Sequence, residues 1–203
     1  MICYIVGAGE FYGEFTPTKG DLVIAADGGY SKLTELGITP DVLVGDMDSL
    51  PCRLPSGGVE IIRHPVEKDE TDAYLAYRIG RERGYTDFML YGGVGGRPDH
   101  TFANYSLLYG AKLDGYSITL VDKDYDIFVI NNESVTLIGE CGKTFSVFAI
   151  GGDCSSVTIQ GAKYCCESVT LTEAFSLGVS NSFVGTPVYV SAEGGALLVM
   201  KEK

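Results

Sequence analysis

Along the first three-fifths of the chain, apolar residues come in short unbroken runs rather than in strict alternation with polar ones. Met1–Val6, Leu22–Ala26, Val42–Val44, Val59–Arg63, Asp87–Tyr91 and Ser117–Val121 are such runs. Each predicts a strand of a parallel sheet covered on both faces, which cannot leave one side polar. Between them, Tyr30–Leu36, Thr71–Arg83 and Thr101–Leu113 carry helical spacing and stop at or near Gly37, Gly84 and Gly115. Strands alternating with helices imply right-handed crossovers and a doubly wound α/β sheet.

After Asp122 the pattern changes. Ile127–Ile130, Val135–Ile138, Phe145–Phe148, Val157–Ile159, Val169–Leu171, Val188–Val190 and Ala196–Met200 predict short strands punctuated by Gly, Asn and Ser. Such spacing reads as an antiparallel sandwich or barrel. The charged stretch Asp122–Tyr125 lacks apolar periodicity and marks the boundary. The expectation is a Rossmann-like, mainly parallel α/β domain over residues 1–123, then an all-β sandwich domain over 124–203.

The length of 203 residues suits one large domain or two small ones. Fifteen basic against 27 acidic residues give a net charge of −12. Without a Lys/Arg cluster to displace counterions, nucleic acid is a poor partner. Phosphorylated ligands stay open, because a divalent cation bridges carboxylates to phosphates. No apolar run approaches the roughly 18–20 residues needed to span a bilayer. Met1 leads into ICYIVGAGE without a basic leader, and the six cysteines show no C-x-x-C spacing. Reduced thiols in a cytoplasmic protein are therefore expected.

Four acidic or glycine-rich clusters sit where predicted strands end or helices begin: Ala26–Gly29, Gly45–Ser49, Lys68–Asp72 and Gly92–His100. In open α/β sheets ligands bind beyond the carboxyl ends of the strands, so parallel strands would gather all four on one edge. An extended segment would point Asp46 and Asp48 the same way, which suits Mg²⁺; an Asp-rich turn before Pro51 is the plainer alternative. Asp69 and Asp72 open a helix and are either caps or part of a phosphate site with Lys68 and Thr71. The glycines of Gly92–Gly96 allow close backbone approach to anionic oxygens, and Arg97 has the planar fork for phosphate. Gly7-Ala8-Gly9 is half a dinucleotide fingerprint, equally a tight turn, and no Walker-type loop exists. His64, before Pro65, reads as a loop residue.

In this order, A-D-G-G at Ala26–Gly29, G-D-x-D-S at Gly45–Ser49, K-D-x-T-D at Lys68–Asp72 and G-x-x-G-G-R-x-D-H at Gly92–His100 resemble the thiamine pyrophosphokinase family. The family's G-L-K-Y/W element appears as Gly161-Ala162-Lys163-Tyr164, with Ala in place of Leu, and its S-N element as Ser180-Asn181. The resemblance implies transfer of a diphosphoryl group from ATP to the thiamine hydroxyl, giving AMP and thiamine diphosphate. It implies Mg²⁺ held by Asp46, Asp48 and Asp72. It implies catalytic roles for Asp72, Arg97 and Asp99, with either Asp72 or Asp99 orienting the hydroxyl. Asp27, Gly28, Gly29, Asp69, Thr71, Gly92, Gly93 and His100 would bind the nucleotide. Tyr164, Ser180 and Asn181 would hold thiamine, at a site shared between the subunits of a homodimer. The rivals are a diphosphotransferase acting on another alcohol and a non-catalytic metal–nucleotide sensor.

Overall fold

The computed structural model describes residues 1–47, 57–63 and 70–203. Among these the chain is mostly β, with thirteen strands and three helices. It divides into two units, Met1–Leu107 with Tyr116–Lys123, and Leu108–Gly115 with Asp124–Lys203.

The first unit runs β1 (Ile2–Val6), β2 (Leu22–Ala26), α1 (Gly29–Glu35), β3 (Val42–Gly45), β4 (Glu60–Arg63), α2 (Asp72–Glu82), β5 (Asp87–Tyr91), the part of α3 (Pro98–Leu113) up to Leu107, and β6 (Ser117–Val121). Its strands stand in the order β4-β3-β2-β1-β5-β6. Every neighbouring pair is parallel. Along β1, Tyr4 and Val6 join Leu33 of α1 in one apolar cluster. Cys3 faces the other way, toward α2, where a Cβ on Gly80 would lie 2.8 Å from its Sγ and 2.6 Å from Phe88 Cε1. Both faces of the central strands are thus covered, which is why β2 and β3 carry no charged residue and are buried throughout, while the edge strand β4 is largely exposed. Burial there pushes the Cys3 thiol up to about 12. Helix α3 begins at Pro98, three residues before the predicted start, with proline in the first-turn position that its missing N–H suits.

The second unit contains β7 (Tyr125–Asn131), β8 (Ser134–Leu137), β9 (Thr144–Gln160), β10 (Cys166–Leu171), β11 (Asn181–Ser182), β12 (Val188–Ser191) and β13 (Gly194–Glu202), paired antiparallel. The two strands predicted at Phe145–Phe148 and Val157–Ile159 are one, β9, which continues through Gly151 (φ +75°) and Gly152 (φ +130°). Its first half pairs with β13 and its second with β10 and β12. Phe145, Val147, Val157, Ile159, Val190 and Leu197 belong to a single buried apolar cluster.

Candidate active site

Because β1, β2 and β5 are parallel neighbours, the segments leaving them meet at one edge of the first unit. A cavity of about 340 Å³ opens there. Gly7, Ala8 and Gly9 line it from the end of β1, Ala26 and Asp27 from β2, and Thr71, Asp72 and Ala73 from the start of α2. Gly92, Gly93, Val94, Gly96 and Arg97 line it after β5, and His100, Thr101 and Asn104 from α3.

The two glycine segments cross at backbone contact. Gly7 N donates to Tyr91 O at 2.8 Å, Gly9 N to Gly92 O at 2.9 Å, and Glu10 N to Val94 O at 2.9 Å. A Cβ at Gly92 (φ +64°) would stand 2.4 Å from Gly7 O, and one at Gly9 2.5 Å from Val94 O. Gly7-Ala8-Gly9 therefore forms a tight backbone crossing and one wall of the cavity.

Asp27 lies in the left-handed region (φ +46°), with its N–H bonded to Val44 O at 2.8 Å, and lines the cavity. Gly28 and Gly29, expected along the nucleotide, do not line it. A Cβ at Gly29 would lie 1.8 Å from Val6 O, so this glycine lets α1 start directly against β1.

The N-cap of α2 is Thr71, whose Oγ1 accepts from Tyr74 N at 3.2 Å. Asp72 stands in the first helical turn, on the cavity wall, and Asp69, with Lys68, lies outside the described residues. Asp48, His64 and Cys52 also lie outside them. Asp46 follows β3, half-buried, and is not on the cavity wall. Met47, which follows Asp46, is left-handed (φ +67°). Among the described residues, no group of three or more His, Cys, Asp or Glu side chains is placed to hold a metal ion.

Arg97 reaches the cavity, but its fork is taken by Asp99: Nε donates to Oδ1 at 3.1 Å and Nη2 to Oδ2 at 2.6 Å. This pairing holds the Asp99 carboxyl down to about 2 and raises the guanidinium. Asp99 does not line the cavity; it also accepts from His100 N at 3.0 Å in the first turn of α3. Asn104, which sequence reasoning passed over, is buried and donates Nδ2 to Gly93 O at 2.7 Å. Its one available signal is helical spacing, one turn beyond His100 and Thr101 on the same face.

In the second unit, Tyr164 is 61% exposed, with Lys163 Nζ 5.2 Å from its ring centroid. Asn181, expected to touch substrate, is buried, and its amide clamps the chain. Oδ1 accepts from Tyr164 N (3.0 Å) and Ser182 N (2.9 Å), while Nδ2 donates to Tyr164 O (2.7 Å). Ser180 is exposed and left-handed (φ +59°), with its N–H on Ser146 Oγ at 3.0 Å.

Residues 17–120 match the thiamin pyrophosphokinase catalytic domain, and residues 129–197 match the thiamin pyrophosphokinase vitamin B1 binding domain. The chain belongs to the thiamin pyrophosphokinase family. It is an enzyme, with the thiamine diphosphokinase activity of that family. A thiamine pyrophosphokinase of Bacillus subtilis (strain 168) is 27% identical over 185 residues, spanning 89% of this chain and 86% of the relative. The crystal structure of thiamine pyrophosphokinase from Bacillus subtilis superposes with a TM-score of 0.88 at 24% identity, covering 100% of this chain and 99% of that one. That of thiamin pyrophosphokinase from Geobacillus thermodenitrificans gives 0.87 at 25%, covering 100% and 98%. Among the described residues no helix is long and apolar enough to cross a membrane.

Proposed function

We propose that the cavity in the first unit takes ATP and that its β-phosphorus is attacked there by the thiamine hydroxyl, releasing AMP. The observation that carries this reading is the meeting of Asp27, Asp72, Arg97, His100 and the Gly92–Gly96 loop around one cavity at the carboxyl edge of a parallel sheet. In this reading residues 1–123 form a Rossmann-like, doubly wound catalytic domain, and 124–203 a β-sandwich that binds thiamine and dimerises.

The new P–O bond forms as the α,β-bridging P–O bond breaks, and the hydroxyl proton must leave. Asp72 is the better acceptor for it. Asp99 is fully engaged by Arg97 and held near pKa 2, whereas Asp72 stands on the cavity wall. Arg97, His100 and the loop amides face the charge on the phosphate oxygens, where pre-placed donors lower the barrier. The oxygen-rich wall of Asp27 and Asp72 fits a hard dication. Asp46, Asp48 and Asp72 would hold Mg²⁺, which supplies charge neutralisation to the phosphates when bound.

A shared site in a homodimer is supported by an exposed apolar ridge beside the S-N element. Phe175, Leu177 and Val179 are 67%, 60% and 50% exposed, more than isolated surface residues explain. The cytoplasm is the proposed location.

The test is product analysis with ATP, Mg²⁺ and thiamine. AMP and thiamine diphosphate in equal amounts are expected, with loss of both on chelation or in Asp72→Asn, by about a hundredfold. AMP formed only with another alcohol, or no turnover, would overturn the reading.

A further inference from the structure

Four consecutive carbonyls, from the last residue of β5 onward, are all anchored. Those of Tyr91, Gly92 and Val94 accept from the backbone N–H groups of Gly7, Gly9 and Glu10, at 2.8, 2.9 and 2.9 Å. The fourth, Gly93 O, is held by a side chain, Asn104 Nδ2, at 2.7 Å. Across a planar trans peptide the carbonyl and the following N–H point opposite ways. Anchoring the carbonyls therefore turns the following N–H groups to the other side. Among the described residues, the N–H groups of Gly93, Val94 and Gly95, which follow three of these carbonyls, donate to no protein acceptor. Gly93 and Val94 line the cavity.

A glycine-flanked peptide flips at little cost, so one unanchored carbonyl in this run would let the loop reverse its polarity. Gly93 is closely packed. A Cβ placed there would lie 3.1 Å from Leu120 Cδ1, 3.2 Å from Leu90 Cδ2 and 3.2 Å from Asn104 Nδ2. Asn104 is 6% exposed and is among the few buried polar side chains described.

We infer that Asn104 is a positioning residue that locks the Gly93–Val94 peptide and so keeps the loop's N–H groups turned toward the phosphates of ATP. This rests on the cavity being the ATP site. The effect is specific to one substrate, since thiamine would be held by residues of the second unit.

The test compares wild type with Asn104→Asp, nearly isosteric but without a donor, and with Asn104→Leu. ATP and thiamine are varied separately, ATP binding is measured by calorimetry, and thermal midpoints are recorded. The expected result is an ATP KM and Kd raised about tenfold or more, the scale of one buried hydrogen bond, with thiamine KM within twofold. Unchanged ATP affinity in a folded variant would overturn the inference. So would a parallel rise of both KM values with a fallen thermal midpoint, or failure of both variants to fold, since each makes Asn104 a structural residue. A wild type that binds ATP but forms no thiamine diphosphate would instead sink the functional reading and leave the calorimetric comparison standing.

Discussion

Arg97 and Asp99 grip each other at two points on the rim of the cavity, Nε to Oδ1 at 3.1 Å and Nη2 to Oδ2 at 2.6 Å. The carboxyl is held down to about 2 chiefly by this hydrogen-bonded pairing. A depressed carboxyl pKa means the pair is complete above the ordinary carboxylate range and is lost only as pH falls through about 2. An NMR titration should place Asp99 there in wild type and return it toward about 3.9 in Arg97→Gln. Any acid limb of kcat/KM above about pH 4 then belongs to another group. Arg97→Lys keeps charge but not the planar fork, and turnover should fall at least about tenfold. Equal turnover would reduce Arg97 to a surface charge.

Gly29 shows a packing demand that composition hides. Its would-be Cβ lies 1.8 Å from Val6 O and 2.5 Å from Val6 C, both backbone, so nothing flexible can give way. Gly29→Ala should cost about 3 kcal/mol in urea unfolding. Gly37→Ala, where no neighbour lies within 4 Å but φ is +70°, should cost less, about 1 kcal/mol. Equal costs would mean that α1 shifts away from β1 freely.

The strands of the first unit were legible because burial on both faces leaves an unbroken apolar signature, as in Leu22–Ala26. The cavity edge was legible for the same reason, since parallel strands deliver their loops to one side. What was hidden depends on backbone conformation. Gly151 and Gly152 interrupt the apolar pattern of β9 without interrupting the strand. The left-handed turn at Met47, directly after Asp46, has no signature in the residue types. Nothing in the sequence reveals that the Arg97 fork is paired with Asp99, two residues on. Asn104 carried no signal beyond helical spacing, because its partner is a backbone carbonyl rather than another side chain.

Asn181 should act on stability before it acts on substrate. Its amide satisfies Tyr164 N, Tyr164 O and Ser182 N, and Asn181→Ala would leave these groups unpaired beside a 5%-exposed position. A loss of about 2–4 kcal/mol in chemical unfolding is expected. Asn181→Asp keeps the acceptor for both N–H groups but sets an oxygen against Tyr164 O, so it should lose stability too. Full stability in both variants, with thiamine KM raised, would make Asn181 a substrate contact after all.

The shared-site homodimer makes the sharpest demand, because it predicts activity from two inactive proteins. Asp72→Asn removes a carboxylate from the cavity of the first unit. Tyr164→Ala removes an exposed ring from the second and leaves the backbone groups that Asn181 clamps. If each site combines the first unit of one subunit with the second unit of its partner, a mixed dimer has one site with both defects and one intact site. Random re-association of equal amounts makes half the dimers mixed, so about one quarter of wild-type turnover should return. The exposed Phe175, Leu177 and Val179 supply a second handle, since Leu177→Glu places a charge on the ridge and should weaken association in sedimentation. Thiamine turnover should fall along with the dimer population. A chain that sediments as a monomer at micromolar concentration while remaining fully active would overturn the shared site. No recovery of turnover despite demonstrated subunit exchange would do the same, because each site would then be built from a single chain.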